Sequence, residues 1–266
     1  MSKLIHANLT YTIRGVLFDV YNKLGPSLPE TFYQQAVEIG LNNKGIPCQI
    51  ERGYEVYYRG QRVGLYYVDV WIDGGKVILE LKVASQILPF HKAQAIAYLK
   101  VTNADLAMLV NFGAEQLQIE RLPNFIHDRQ GSAGWQPNPI MVRNSYPDLT
   151  KHLIQAMSQV HHELGPGFLP QIYRRATRIE LQHQNIPHTY IKQLPITYQN
   201  QLGSKEVWLI QVTDKIVIAV MSVKEIDGLL KKQFRARLKF MGVMFGLLAN
   251  FHGSSIKVVG VGTTDT

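Results

Sequence analysis

Apolar positions follow a helical spacing at the start of the chain and then a strand-like one. From about Thr10 to Lys23 they recur on one face, and this segment ends at Gly25-Pro26; a second helical stretch runs from about Leu28 to Lys44. Tyr54 to Tyr58 and Gly64 to Ile72 are rich in β-branched and aromatic residues and read as strands. Asp73-Gly74-Gly75 reads as a turn, and Lys76 to Val83 as a third strand. A helix from about Pro89 to Thr102 then leads into an apolar strand, Leu106 to Asn111. Two helices, a hairpin, a helix and a strand predict an α/β layer arrangement, a mixed sheet flanked by helices.

The same layout then repeats. Leu24-Gly25-Pro26-Ser27 and Tyr33 recur as Leu164-Gly165-Pro166-Gly167 and Tyr173, at an offset of 140. Leu9-Thr10 matches Leu149-Thr150, Ile46-Pro47 matches Ile186-Pro187, and Tyr58 matches Tyr198 in that register. Beyond the Gly74-Gly75 turn the offset becomes 139, with Gln94 on Gln233, Leu99-Lys100 on Leu238-Lys239, and Asn111-Phe112 on Asn250-Phe251. So many matches in one register identify a tandem duplication. The domains expected are residues 1–122, a linker over 123–146 rich in Pro, Gly, Ser and Asn, and a second copy over 147–266.

Composition changes this picture little. With 46% hydrophobic residues in 266, the chain can build packed cores. No apolar run approaches the roughly 18 residues that would span a bilayer, and Phe240 to Ala249 reads as a buried element. The amino terminus lacks the pattern of a secretory signal. The single cysteine, Cys48, cannot form an intrachain disulfide. A cytoplasmic protein without membrane association is the expectation.

Candidate chemistry sits on the first hairpin. If Gly74 and Gly75 close a two-residue turn, opposed residues have numbers summing to 149, and Asp69 faces Glu80. Directly opposed side chains lie roughly 4.5 to 5.5 Å apart at Cβ, where like charges are destabilising unless something compensates. A divalent cation would. Side chains alternate along a strand, so Lys82 shares the face of Glu80 while Leu79 and Leu81 turn to the core. Two carboxylates and an ammonium suit phosphodiester hydrolysis: Mg²⁺ binds through one or two carboxylates plus substrate phosphate, and an amine orients the attacking water or neutralises developing charge. A Glu-x-Lys alone is common on solvated strands; the opposed Asp69 sets this one apart.

Leu24-Gly25-Pro26, Glu30, Tyr33, Asp69, Glu80-Leu81-Lys82, Gln94 and Tyr98 together resemble the GxxExxY family of the PD-(D/E)XK nuclease superfamily. The resemblance covers about residues 9 to 120, and 149 to 261 more weakly. It implies two tandem restriction-endonuclease-like domains. It also implies a site built from Glu30, Asp69, Glu80, Lys82 and Gln94, with Asp69, Glu80 and Glu30 holding Mg²⁺ or Mn²⁺. Ser27 stands where the family pattern has Gly, and Val68 where the superfamily pattern has Pro. Neither change removes a ligand.

Several of these residues have plainer readings. Ser27-Leu28-Pro29-Glu30 also fits a helix capping box. Tyr33 and Tyr98 read equally well as half-buried packing residues, and Gln94, kept as Gln233, as a structural one. His91 and the His161-His162 pair lack metal-ligand spacing.

The second copy serves as an internal control. Glu30 becomes Pro170, Asp69 becomes Leu209, Glu80 becomes Ala219 and Lys82 becomes Met221. Charge divides unevenly too: residues 1–122 hold 12 Lys and Arg against 11 acids, and residues 145–266 hold 14 against 8. Lys231, Lys232, Arg235, Arg237 and Lys239 crowd one helix, and Arg174, Arg175 and Arg178 another. Such clusters neutralise phosphates without reading bases. The chain therefore reads as a metal-dependent nuclease with its chemistry in the first copy. Its second copy reads as a basic pseudo-nuclease domain that grips nucleic acid and replaces the partner of an ancestral dimer. The competing class is a non-catalytic nucleic-acid-binding or assembly protein that kept the carboxylates by descent.

Overall fold

The computed structural model describes residues 5–124, 146–198 and 201–263. Most of the expected linker, residues 125–145, lies outside the described residues. The chain divides into two compact units, Met1–Val56 with Gly64–Gly134, and Tyr57–Val63 with Trp135–Thr266.

The first unit opens with α1 (Ala7–Leu24) and α2 (Glu30–Asn42). Ile13, Val16, Leu17 and Val20 make the buried stripe of α1, and Tyr33, Val37 and Leu41 that of α2, spacings that keep each set on one face. Gly25, at φ 67°, stops α1 in a conformation that favours glycine, and its amide donates to the Tyr21 carbonyl. The expected capping box does not form: Pro29 is the N-cap of α2 and no side chain caps it. Ser27 instead takes a positive φ of 80° within the connection. Tyr33 braces that connection, its hydroxyl donating to the Gly25 carbonyl (2.6 Å) and accepting from the Leu28 amide (3.2 Å).

The five strands β1 (Cys48–Tyr58), β2 (Gln61–Ile72), β3 (Val77–Lys82), β4 (Leu106–Asn111) and β5 (Gln118–Pro123) lie in sequence order. β3 and β4 are parallel, while β2 with β3 and β4 with β5 are antiparallel. α3 (Pro89–Thr102) makes the crossover between the parallel pair and packs on β4. Leu79, Leu81, Val70, Met108 and Val110 close one core against α1 and α2. The other face is left to alternate residues such as Ile78 and Glu80.

The second unit repeats this order with α4 (Pro147–Leu164), α5 (Pro170–His183), β6 (His188–Tyr198), β7 (Gln201–Val212), β8 (Ile216–Met221), α6 (Gly228–Phe240), β9 (Phe245–Asn250) and β10 (Lys257–Gly262). Its sheet has the same order and again one parallel pair, β8 with β9. Tyr173 repeats the brace, donating to the Gly165 carbonyl (2.7 Å). Residues 240–249, read from sequence as one buried element, hold the end of α6 and most of β9. No helix among the described residues is long and apolar enough to cross a membrane.

Tyr58 and Arg59 count with the second unit, and there they meet Glu180 of α5. The Tyr58 hydroxyl donates to Glu180 Oε2 (2.6 Å), Arg59 Nε to the same oxygen (2.5 Å), and Arg59 Nη2 to Oε1 (3.2 Å). Burial would raise the Glu180 carboxyl, but the bonds from Arg59, Tyr58 and Gln184 hold it below its usual range.

Candidate metal centre

β2 and β3 pair as Val70 with Leu79, Trp71 with Ile78 and Ile72 with Val77, so opposed numbers sum to 149 as expected. The turn is longer than two residues, a 3₁₀ turn over Asp73–Gly75. Gly75 sits at φ 97°, and a Cβ there would fall 2.2 Å from the Trp71 ring, so only glycine fits. The regular ladder ends at Val70 and Leu79. There Asp69 takes over a backbone partner, its Oδ2 accepting the Leu81 amide at 2.7 Å.

Glu80 is 3% exposed. Its Oε1 receives Lys82 Nζ at 2.6 Å and its Oε2 the Tyr66 hydroxyl at 3.1 Å. Asp69 Oδ1 receives the Gln34 amide at 2.9 Å. Burial, and then the Glu80 charge, push the Asp69 carboxyl up to about 8, against the opposing pull of the Leu81 amide and Lys82. Burial raises Glu80 as well, with Lys82 opposing. For Lys82, burial would lower the ammonium, yet the attraction of Glu80 and Asp69 lifts it above its ordinary value. The cluster is a like-charge pair, Glu80 buried and Asp69 half-buried, with one half-buried amine.

The remaining candidates are placed less directly. Glu30, the first residue of α2, makes no hydrogen bond or ion pair among the described residues, although its charge raises Asp69, Glu80 and Lys82 alike. Gln94 does not touch a carboxylate: its amide donates to the Tyr98 hydroxyl. The Tyr98 ring stacks on Tyr66 at 3.7 Å between centroids, and Tyr66 in turn reaches Glu80. Tyr33 and Tyr98 are fully buried, not half-buried. His91 accepts the Leu88 amide and His161 bonds the Gly253 carbonyl, so both have structural partners.

Sequence reading missed Gln34 and Tyr66. Gln34 stands one turn after Glu30, beside the apolar residues Tyr33, Val37 and Leu41, and that was a usable signal. Tyr66 had none: strict alternation from Asp69 would point it away from Glu80.

Among the described residues no group of three His, Cys, Asp or Glu side chains is arranged to hold a metal ion. A hard divalent cation asks for less, since Mg²⁺ keeps waters and takes one or two carboxylates with substrate phosphate. Two carboxyls, Glu80 buried and Asp69 half-buried, each raised by desolvation, fit that demand in donor type and charge. A 730 Å³ hollow elsewhere, lined by Tyr11, Arg14, Phe18, Gly40 and Lys44 among others, contains none of these residues.

In the second unit the aligned place is filled by hydrocarbon. Leu209 and Ala219 belong to a buried cluster with Val207, Val217, Phe234 and Leu238, and Met221 packs against it. On α6, Lys231, Lys232 and Lys239 are exposed, while Arg235 and Arg237 are half-buried. Arg235 Nε donates to the Gly262 carbonyl at 3.0 Å. At about 100° per residue, Lys231, Arg235, Lys239 and Lys232 share one flank of the helix, and Arg237 falls on the other side of buried Phe234 and Leu238. The five cations therefore do not make a single stripe.

A family model described as the PD-(D/E)XK nuclease superfamily matches residues 7–122 and again residues 147–259. The chain belongs to that superfamily, and it carries the nuclease-like fold twice. No curated protein matches the chain. A solved structure titled "Crystal structure of SSO0001" is similar at 19% identity, over 44% of this chain and 55% of that one, with a TM-score of 0.29. The chain thus spans about half the length of that structure.

Proposed function

We propose that this chain is a metal-dependent nuclease that hydrolyses phosphodiester bonds of nucleic acid, with its chemistry in the first copy. The observation that carries the reading is the cluster of buried Glu80 with half-buried Asp69 and Lys82: two mutually repelling carboxyls beside one amine, in a chain of this superfamily. Asp69 and Glu80 would hold Mg²⁺ or Mn²⁺, with Glu30 adding negative charge at the approach. When bound, such an ion lowers the pKa of water and stabilises charge on phosphoryl oxygens.

The chain's own residues divide the remaining work. Lys82 keeps an ammonium in a poorly solvated place, where it counters negative charge gathering on the phosphoryl group. The Leu81 amide and Gln34 fix both oxygens of Asp69. Tyr66, backed by Tyr98 and Gln94, fixes Glu80. The second copy, with no acids at the aligned positions, serves as a basic pseudo-nuclease domain for binding or pseudo-dimerisation.

Cleavage of mixed DNA and RNA substrates with Mg²⁺ or Mn²⁺ tests this, comparing the wild type with Asp69→Ala and Glu80→Ala. Loss in both variants supports the site; activity that survives both removes it. One observation favours the second reading, a non-catalytic nucleic-acid-binding or assembly protein: all four oxygens of Asp69 and Glu80 already have donors in the protein. That reading gains if no substrate is cut under any metal condition while binding persists.

A further inference from the structure

Helix α5 of the second unit carries Arg174, Arg175 and Arg178 and a single acid, Glu180. That acid is committed to Tyr58, Arg59 and Gln184. Arg175 donates to the Val63 carbonyl at 3.1 Å. Arg174 and Arg178 have no acidic partner among the described residues. Instead their guanidinium groups lie over aromatic rings of β7 and β6: Arg174 over Trp208 at 5.6 Å, and Arg178 over Tyr190 at 4.6 Å. The two rings are 6.1 Å apart, so the four side chains form one continuous patch. All four are half-buried.

The patch has unmet hydrogen-bonding capacity. Arg174 Nε, Thr177 Oγ1 and Arg178 Nε are buried and lack hydrogen-bond partners among the described residues. Residues 174, 177 and 178 fall on one face of a helix. Thr177 is fully buried, so its hydroxyl is out of reach of an outside ligand; the guanidinium groups of Arg174 and Arg178, on half-buried side chains, are where an acceptor is expected. The first copy has Gln34, Val37 and Glu38 at the aligned positions, and Ile50 and Val68 where Tyr190 and Trp208 stand. The whole patch therefore belongs to the second copy alone, the copy that lacks the acids.

We propose that the α5–β6–β7 face binds the phosphodiester backbone of nucleic acid, with Arg174 and Arg178 pairing phosphates and Trp208 and Tyr190 holding the guanidinium planes in place. Arginine's planar fork suits phosphate and stacks on aromatic rings, and a single charged ammonium would use neither property. This rests on the reading of the chain as one that acts on nucleic acid, and it assigns the grip to α5 instead of the lysine-rich α6.

The test measures binding of a labelled mixed-sequence single-stranded oligonucleotide of about 20 nucleotides, across a salt series and in EDTA so that cleavage plays no part. Arg174→Gln/Arg178→Gln is expected to lower affinity on the order of tenfold and to reduce the slope of log K against log salt by about 1.4, two phosphate contacts' worth. Arg174→Lys/Arg178→Lys is expected to keep most of the slope, and it guards against misfolding of the Gln variant. Oligonucleotide titration is also expected to change tryptophan fluorescence in the wild type and not in Trp208→Phe. Unchanged affinity and slope in the Gln variant overturn the proposal, as does polyglutamate binding as tightly as the oligonucleotide. Loss confined to Lys231→Gln/Lys232→Gln overturns it as well and returns the grip to α6. Cleavage is scored separately: a wild type that cuts while the arginine variant binds normally sinks only this inference, and one that binds through these arginines but never cuts sinks only the nuclease reading.

Discussion

The Gln34 side-chain amide donates to Asp69 Oδ1 at 2.9 Å, joining helix α2 to the strand that carries the acid. The aligned residues of the second copy are Arg174 and Leu209, between which no such bond can form. The bond thus exists only where there is a carboxylate to orient, and it fixes the oxygen that the Leu81 amide leaves free.

Removing that bond tests its role. Gln34→Ala is expected to reduce metal-dependent cleavage about 10- to 100-fold, the usual cost of losing a partner that orients a metal ligand. Titration of Mn²⁺ against activity checks it: the apparent metal affinity of the variant should fall together with its rate.

Lys82→Met leaves Glu80 buried beside Asp69 without its amine. The variant is expected to be inactive and to lose about 3 kcal/mol at pH 7, since an uncompensated buried charge is costly. Urea denaturation measures this. Adding Glu80→Gln should recover most of the stability and none of the activity.

The raised Asp69 carboxyl makes the metal-free protein sensitive to base. An acid whose folded pKa lies above its unfolded value stabilises the fold fully below the unfolded value, near 3.8, and loses that contribution as pH rises through about 8. Melting temperature in EDTA is therefore expected to fall from about pH 4 to about pH 8 and to level off above, with a flatter profile in Asp69→Asn. Added Mg²⁺ should raise the melting temperature most at the alkaline end, because it binds the ionised form.

Glu180 works in the opposite direction. Its carboxyl is held below 4.5, so its contribution is present above that value and is lost as pH falls through the lower folded pKa. Glu180→Gln is expected to destabilise the protein by about 2 kcal/mol at pH 7 and to weaken the acid-side decline. Denaturation midpoints at pH 7 and pH 3.5 for the two proteins give the comparison.

The sequence was most legible where periodicity and repetition coincide. α3 and β4 begin and end where their patterns predict, at Pro89–Thr102 and Leu106–Asn111. The register of β2 with β3 followed from turn position alone, even though the turn is longer than expected. β5, in contrast, was missed because Gln118 to Pro123 mixes charged and apolar residues and ends in proline, which weakens a strand signal. β1 and β2 extend well beyond their β-branched segments, since pairing along a hairpin carries poor strand formers with it.

Repetition also separates framework from chemistry. Tyr33 and Tyr173 brace the same loop, and each stacks on a phenylalanine, Phe112 at 4.3 Å and Phe251 at 4.4 Å. Asn111 and Asn250 each bond both backbone groups of one residue in the connection ahead of them, Ala84 and Val223. The shared residues that identified the duplication are thus structural. Asp69, Glu80 and Lys82 stand only in the first copy, and no spacing rule led from them to Tyr66, whose contact with Glu80 depends on how β2 departs from regular alternation.

The hydrocarbon packing of Leu209 and Ala219 against Phe234 and Leu238 acts as an evolutionary ratchet. Reverting Ala219 alone to glutamate would bury an acid where Met221 has replaced the amine, and folding would suffer before any benefit appeared. Reversal would need acid, amine and supporting hydroxyl to return together, so the asymmetry between the halves is self-perpetuating.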